Sequence, residues 1–218
     1  MILHRKIQKI KKRLLAIGAI VEEQVNLAIK SIVNRDKDLA QKVIDGDVAI
    51  DLMEVDLEEE CLKVLALHQP MAVDLRMIIA VLKINNDLER IGDLAVDATE
   101  RAIVLVEQEP VEFPFDFTFM SQAVLKMLKQ CLDAVVNLDL ELAAKVCASD
   151  DAVDAIHAEV YRKVAAELVR QPQHVSQLLT YLSVSRYLER IADHTTNIAE
   201  DVIYLIQGNI VRHQEPLS

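Results

Sequence analysis

Two sets of oxygen-bearing side chains recur at helical spacing in this sequence. The first set is Glu89, Asp93 and Asp97, and the second is Glu189, Asp193 and Asn197. Residues at i, i+4 and i+8 lie about one turn apart on the same face of an α-helix. Carboxylate and amide oxygens are hard ligands, typical of sites for magnesium, manganese, calcium or iron. The spacing therefore indicates a candidate metal site on each of two helices.

Further acids lie upstream of each set at the same kind of spacing. The first group is Asp47, Asp51, Glu54 and Glu58, and the aligned positions later in the chain are Asp150, Asp154 and His157. If each group lies on a helix that packs antiparallel to the helix carrying Glu89 or Glu189, the two acidic faces can meet. We therefore expect Asp51 and Asp154 to be additional ligands.

A solvated acidic surface without a metal ion is the competing interpretation. Like charges four residues apart disfavour a helix by only about 0.2–0.5 kcal/mol per pair, which a protein tolerates easily. Arginines are also placed to neutralise some of the acids, since Arg90 precedes Asp93 by three residues and Arg186 precedes Glu189 by three. The spacing alone leaves both interpretations open.

The acidic segments belong to an internal repeat. Leu88–Val106 reads LERIGDLAVDATERAIVLV, and the segment that begins 100 positions later, at Leu188, reads LERIADHTTNIAEDVIYLI. Upstream, NRDKDLAQKVIDGDVAID from Asn34 matches NLDLELAAKVCASDDAVD from Asn137 at nine of eighteen positions. Such self-similarity indicates that one structural unit occurs twice.

Composition and periodicity predict an all-α fold. The 218 residues include only four glycines and five prolines, with 4% aromatic residues, which favours long helices. We predict two tandem, pseudo-symmetric three-helix bundles, at residues 1–112 and 113–218, joined near Pro110 to Pro114. The six long antiparallel helices are predicted around residues 7–25, 38–67, 72–107, 119–137, 139–169 and 175–207.

Charge and motifs exclude several functions. A net charge of −11 argues against nucleic-acid binding, which depends on Lys and Arg. No apolar run reaches the roughly 18 residues of a membrane span, and the start lacks a signal-peptide core, so we expect a cytoplasmic protein. Three scattered cysteines indicate reduced core thiols. We expect no enzymatic activity, because the phosphate loop, G-x-S-x-G, H-E-x-x-H and Glu-x-x-His patterns are absent.

The repeated helices resemble the signature helices of the PhoU family, regulators of phosphate uptake and the phosphate-starvation response. The resemblance lies in QPMAVDLRMIIAVLKINNDLERIGDLAVD, from Gln69, in ERIADHTTNIAED, from Glu189, and in LLAIG of the first helix. It implies two similar three-helix bundles. It also implies an E/D-x-x-x-D motif for metal ions on each third helix, at Glu89 and Asp93, extended by Asp97, and at Glu189 and Asp193, extended by Asn197.

The resemblance also implies cofactors and partners. The expected cofactors are metal ions, with iron clusters, manganese, magnesium and zinc as candidates. The expected partners are the ATPase subunit of the phosphate ABC transporter and the sensor histidine kinase of the phosphate regulon, which the protein restrains when phosphate is plentiful. We also expect a homodimer. A metal-storage or metal-sensing bundle without a role in phosphate signalling is the alternative.

The first helix carries a basic cluster between Arg5 and Arg13 in an otherwise acidic protein. Such a segment can attract anionic lipid at about 1 kcal/mol per basic residue. This pattern predicts a peripheral membrane contact, and an ordinary solvated helix face is the alternative. The first copy also departs from the family pattern at Leu94, where the second copy has His194, and at Asp97, where the second has Asn197.

Overall fold

A computed structural model describes residues 2–108, 111, 115 and 117–208. These residues form α-helices and one short 3-10 turn, Pro172–His174, and they contain no β-strand. The helices are α1 (Ile2–Asn34), α2 (Lys37–His68), α3 (Val73–Val106), α4 (Thr118–Asn137), α5 (Leu140–Cys147), α6 (Asp150–Arg170) and α7 (Val175–Gln207). No helix in this part of the chain is sufficiently long and apolar to cross a membrane. The predicted all-α class is confirmed.

The fifth predicted helix is interrupted where its counterpart in the first repeat continues. Residues 139–169 form α5 and α6, which are separated at Ala148 and Ser149. The Ser149 hydroxyl donates to the Lys145 carbonyl at 2.8 Å, and such bonds compete with regular helical geometry. Asp150 and Asp151 then begin α6, where negative charge interacts favourably with the helix N-terminus.

The same aspartate opens the second helix of both repeats. Asp36 accepts hydrogen bonds from the backbone N–H groups of Asp38 and Leu39, and the aligned Asp139 accepts one from Leu142. An N-cap of this kind is worth about 1 kcal/mol, because it satisfies a donor that the helix cannot. The repeat therefore preserves the start of this helix, although the later parts of the two copies differ.

One hydrophobic core joins the two repeats, with α3 and α7 at its centre. The main cluster of buried apolar residues includes Ile84 and Leu88 of α3 as well as Leu188 and Ile198 of α7. The two helices are antiparallel, since Lys83 meets Asp201 and Asp87 meets His194. The third helices of the two repeats, α3 and α7, thus pack against each other at the centre. The second helices, α2 in the first repeat and α5 with α6 in the second, lie on the outer sides.

Aromatic residues after the joint between the repeats pack at one end of the second repeat. The Phe115 and Phe117 rings meet edge to face at 5.2 Å, and Phe117 stacks on Tyr181 at 5.9 Å. The predicted joint itself, at Pro110 and Pro114, lies outside the described residues.

The cysteines are free thiols in the core or at its margin, as predicted. Cys61 and Cys131 are buried and Cys147 is partly buried. Burial raises the pKa of the Cys61 thiol to about 12 and that of Cys147 to about 11. All three are therefore unreactive packing groups near neutral pH.

Candidate metal centres

The first acidic cluster lies between α2 and α3. Asp47 and Asp51 come from α2 and Asp93 from α3, and one carboxylate oxygen of each lies within 4.8 Å of the others. Gly92 lets the two helices approach closely here, because a Cβ at this position would lie 3.3 Å from Ile50 and 3.4 Å from the Asp47 carboxylate. Gln24 of α1 donates to Asp47 Oδ1 at 3.0 Å and fixes that side chain.

The second acidic cluster lies between α6 and α7. Asp154 comes from α6, and Glu189 and Asp193 come from α7, again with one oxygen of each within 4.8 Å of the others. The two clusters use the same pair of surfaces in each repeat, the second helix facing the third. If these acids served only to keep the surface soluble, they would not need to converge between two helices. Their convergence in both repeats therefore favours a metal site.

Two carboxyl groups at the first cluster, those of Asp47 and Glu89, have raised pKa values. Burial raises the pKa of Asp47, and the neighbouring charges of Asp51 and Asp93 raise it further. Burial likewise raises the pKa of Glu89, with Asp93 as the next contribution. Like charges held together in a partly dry site are unfavourable, and a bound cation relieves that repulsion.

Three carboxyl groups at the second cluster also have raised pKa values. Burial, followed by the charges of Asp193 and Asp154, raises the pKa of Asp150 to about 6. Burial is also the main cause of the raised pKa values of Glu189 and Asp193. Asp150 therefore adjoins the cluster of three and shares its electrostatic environment.

Several buried oxygens at these sites accept no hydrogen bond in the described part of the chain. They include Oε2 of Glu189 and Oδ1 of Asp150 in the second repeat, and Oε2 of the aligned Glu89, which forms an ion pair with Arg90 Nε at 3.4 Å. Leaving a buried polar atom unsatisfied costs about 1–3 kcal/mol, and more when the group is charged. Because these oxygens are hard donors at converging positions, the donor set suits magnesium, manganese, calcium or iron.

The arginine pairs expected for a solvated face are present too. Arg90 donates to Asp93 at 2.8 Å, and Arg186 donates to Glu189 at 2.6 Å. Both arginine side chains are about half exposed, at 52% and 55%. Each can therefore swing into solvent if a cation takes its place beside the carboxylates.

The structure brings together five of the eight residues selected from the sequence. Asp51 meets Asp93 in the first cluster, and Asp154, Glu189 and Asp193 form the second. Two others border the first cluster: Glu89, whose pKa the charges of Asp93 and Asp51 raise, and Asp97, whose charge contributes to the raised pKa of Asp47.

Asn197 makes its hydrogen bond elsewhere. Its amide Nδ2 lies 3.4 Å from Asp87 Oδ1 of α3, and the same oxygen lies 2.8 Å from His194 Nδ1. Asn197 therefore contributes to the contact between the two repeats. Asn197 was expected to be a ligand because of its spacing from Glu189 and Asp193. Spacing does not show which residue of a neighbouring helix a side chain contacts.

Two residues at the clusters are not among the eight ligands expected from the sequence. Asp47 completes the first cluster, and Asp150 adjoins the second. Both were visible on the acidic faces of the second predicted helices. Since they align with each other in the repeat, the alignment is the signal that identifies them.

Comparison with known proteins places both repeats in one family. The PhoU domain matches twice, over residues 14–102 and 117–202. The chain is 40% identical to the phosphate-specific transport system accessory protein PhoU homolog of Pseudomonas aeruginosa, over 95% of this chain and 86% of that protein. The homolog from Aquifex aeolicus is 38% identical over 97% of this chain and 96% of its own length.

Solved structures agree with these relatives. The crystal structure of PhoU from Pseudomonas aeruginosa superposes with a TM-score of 0.91 at 39% identity, over 94% of this chain and 99% of that one. The phosphate transport system regulatory protein PhoU from Streptococcus pneumoniae gives 0.87 at 26% identity, over 96% and 99% of the two chains.

Proposed function

The chain belongs to the PhoU family, and we propose that it is a regulatory adaptor of phosphate uptake and of the phosphate-starvation response. The observation that carries this proposal is the double family match, which covers both repeats and includes both acidic clusters. The relatives are named as accessory proteins of a phosphate-specific transport system. Regulation of phosphate transport is therefore the function that best accounts for the chain.

The adaptor acts through contacts with other proteins. Its partners in this proposal are the ATPase subunit of the phosphate ABC transporter and the sensor histidine kinase of the phosphate regulon, and it restrains that system when phosphate is plentiful. The protein works in the cytoplasm as a homodimer, with peripheral contact to the membrane and no nucleic-acid ligand. We assign it no catalytic reaction.

Metal ions form part of the proposal. Asp47, Asp51 and Asp93 would hold one ion or cluster, and Asp154, Glu189 and Asp193 the other. A bound cation supplies positive charge to carboxylates that otherwise repel one another. Because each set combines residues of two helices, binding would tie α2 to α3 and α6 to α7. Iron is a candidate, as are manganese, magnesium and zinc.

A metal-storage or metal-sensing bundle is the second candidate function. The converging carboxylates and the Glu189 oxygen that accepts no hydrogen bond favour it, because both features suit a bound cation and neither requires a signalling partner. It differs from the adaptor in predicting no specific protein partner and no effect on phosphate-regulated genes.

A pull-down from phosphate-replete cells, combined with elemental analysis of the purified protein, tests the two candidates. The adaptor predicts recovery of the transporter ATPase or the sensor kinase, and deletion of the gene should raise expression from a starvation-induced promoter. Recovery of metal alone, with promoter activity unchanged by the deletion, would favour the storage or sensing bundle.

A further inference from the structure

The outer face of α2 carries a row of exposed apolar side chains. Val48, Leu52, Val55 and Leu62 expose 62%, 66%, 52% and 51% of their surfaces. They lie opposite the buried face of the same helix, where Val43, Ile50, Leu57 and Val64 pack into the core. Within the described residues α2 packs against α1 and α3 only on that inner side. We refer to the four exposed residues as the α2 stripe.

The spacing of the α2 stripe is that of a coiled-coil seam. Alternating steps of four and three residues keep side chains on one narrow line of a helix, and the α2 stripe follows these steps. The same series also includes Glu59, between Val55 and Leu62, and Ala66, after Leu62. A line of this kind packs side by side with another helix. It does not provide a concave site for a small molecule.

The second repeat shows that the fold does not need the stripe. The aligned positions on the exposed face of α6 are Asp151, Ala155, Ala158 and Ala165. The same bundle therefore forms with an aspartate and three alanines on this face. Four large apolar side chains exposed to water contribute little to folding. Because only the first repeat has them, they indicate that another molecule covers this face of α2.

The borders of the stripe are acidic. Asp51 and Glu58 flank it on one side and Asp45 and Asp56 on the other, and all four residues are exposed. Residues 45–59 contain no lysine or arginine. A seam with acidic borders selects a partner helix with basic residues beside its apolar line.

A second copy of the chain is a poor occupant. Two such faces packed antiparallel bring Asp51 and Glu58 of one copy against the same acids of the other, and like charges across an interface disfavour pairing. An anionic membrane surface meets the same repulsion.

From the stripe, its borders and its absence in the second repeat, we infer that α2 is a docking surface for an amphipathic helix of another protein, with an apolar face bordered by Lys and Arg. The inference rests on the proposed adaptor function and deepens it, because it names the surface and the chemistry of the partner that the surface recognises.

The test uses the full chain and two purified probes: the transporter ATPase subunit and the cytoplasmic part of the sensor kinase, both from the same organism. The stripe variant carries Val48→Asp, Leu52→Ala, Val55→Ala and Leu62→Ala, which are the residues that the second repeat already tolerates. The matched control carries Tyr161→Ala and Val169→Ala, which remove side chains of α6 that are 60% and 84% exposed. Circular dichroism should show equal helicity in all three proteins.

The stripe variant should bind at least one probe about tenfold or more weakly, because truncating central apolar contacts removes much of an interface's affinity. The control should bind as the wild type does. A second variant, Asp56→Lys with Glu58→Lys, should also bind more weakly, and binding by the wild type should fall as salt increases.

Each other outcome is decisive. If the wild type binds a probe and the stripe variant binds it equally well, the docking surface is wrong and the adaptor function stands. If the wild type binds neither probe, the adaptor function fails and the docking surface fails with it. If light scattering shows that the stripe variant alone loses self-association, the stripe joins two copies of this chain and the inference is overturned.

Discussion

The two acidic clusters occupy equivalent places but offer different donors. The first repeat has Glu54 beside its cluster, and the second has His157 at the aligned position. Burial lowers the pKa of His157, as does the nearby Arg186, which favours the neutral imidazole, the form that binds a metal. The duplication has thus kept the positions of the acids while altering the chemistry around them.

The contact between the repeats explains part of this divergence. His194 and Asn197 of α7 both reach Asp87, and Lys83 of α3 reaches Asp201, which is 1% exposed. At the symmetry-equivalent positions the sequence has Leu94 and Tyr187 for the first contact, and Arg101 and Ser183 for the second. Polar contacts therefore hold one side of the pseudo-symmetric interface, and two departures from the first copy's motif serve that interface.

The largest effect should come from the shared core. Leu88 and Leu188 are each 1% exposed at aligned positions on α3 and α7. Leu88→Ala and Leu188→Ala should each lower the free energy of unfolding by about 2–5 kcal/mol, because a buried cavity remains. Urea unfolding, followed by circular dichroism, should show a single transition for both variants. Two separate transitions would mean that the repeats fold independently and do not share one core.

Exchanging the divergent donors should alter metal preference. His157→Glu gives the second cluster the first repeat's residue, and Glu54→His does the reverse. Because imidazole suits zinc better than manganese, His157→Glu should weaken zinc binding at the second cluster by about tenfold or more relative to manganese. Competition titrations with the two metals measure the change. An unchanged ratio in both variants would show that these side chains do not contribute to the sites.

In the metal-free protein, the free energy of unfolding should depend on pH through Asp150, which adjoins the second cluster. The pKa of Asp150 is about 6 in the folded state, above the ordinary value of 3.8, so the folded state holds the proton more tightly between these two pH values. The free energy of unfolding should therefore decrease as pH rises from about 4 to about 7. Asp150→Asn should flatten this part of the curve, and chelator-treated protein unfolded at several pH values measures it. An unaltered slope in Asp150→Asn would exclude this group as the cause.

The smallest effect should come from the basic cluster of α1. Lys6, Lys9 and Arg13 surround the buried Glu60 carboxylate at 3.8, 3.0 and 3.1 Å, so part of the cluster's charge is used within the protein. Replacing Lys9, Lys11, Lys12 and Arg13 with Gln should reduce binding to anionic vesicles at low salt, by at most about 1 kcal/mol per residue. Vesicle co-sedimentation provides the measurement. Equal binding by both proteins would assign the cluster to solubility and to neutralising Glu60.

The helices could be predicted from the sequence because their signals are local. Apolar periodicity and the prolines place most helix ends within a few residues of the observed ones. The break at Ser149, where the side-chain hydroxyl donates to the Lys145 carbonyl, was not predicted. Most of the candidate site followed from spacing, but spacing does not show which face meets which neighbour. Spacing alone therefore does not predict that Asn197 reaches Asp87 or that Asp47 completes the first cluster.

The most direct test of two metal centres is an anomalous difference map from crystals grown with manganese. We expect one peak among Asp47, Asp51 and Asp93 and a second among Asp154, Glu189 and Asp193. The first peak should disappear in Asp51→Asn with Asp93→Asn, while the second remains. A map without a peak at either cluster, from crystals that hold manganese elsewhere, would show that these carboxylates do not form metal centres.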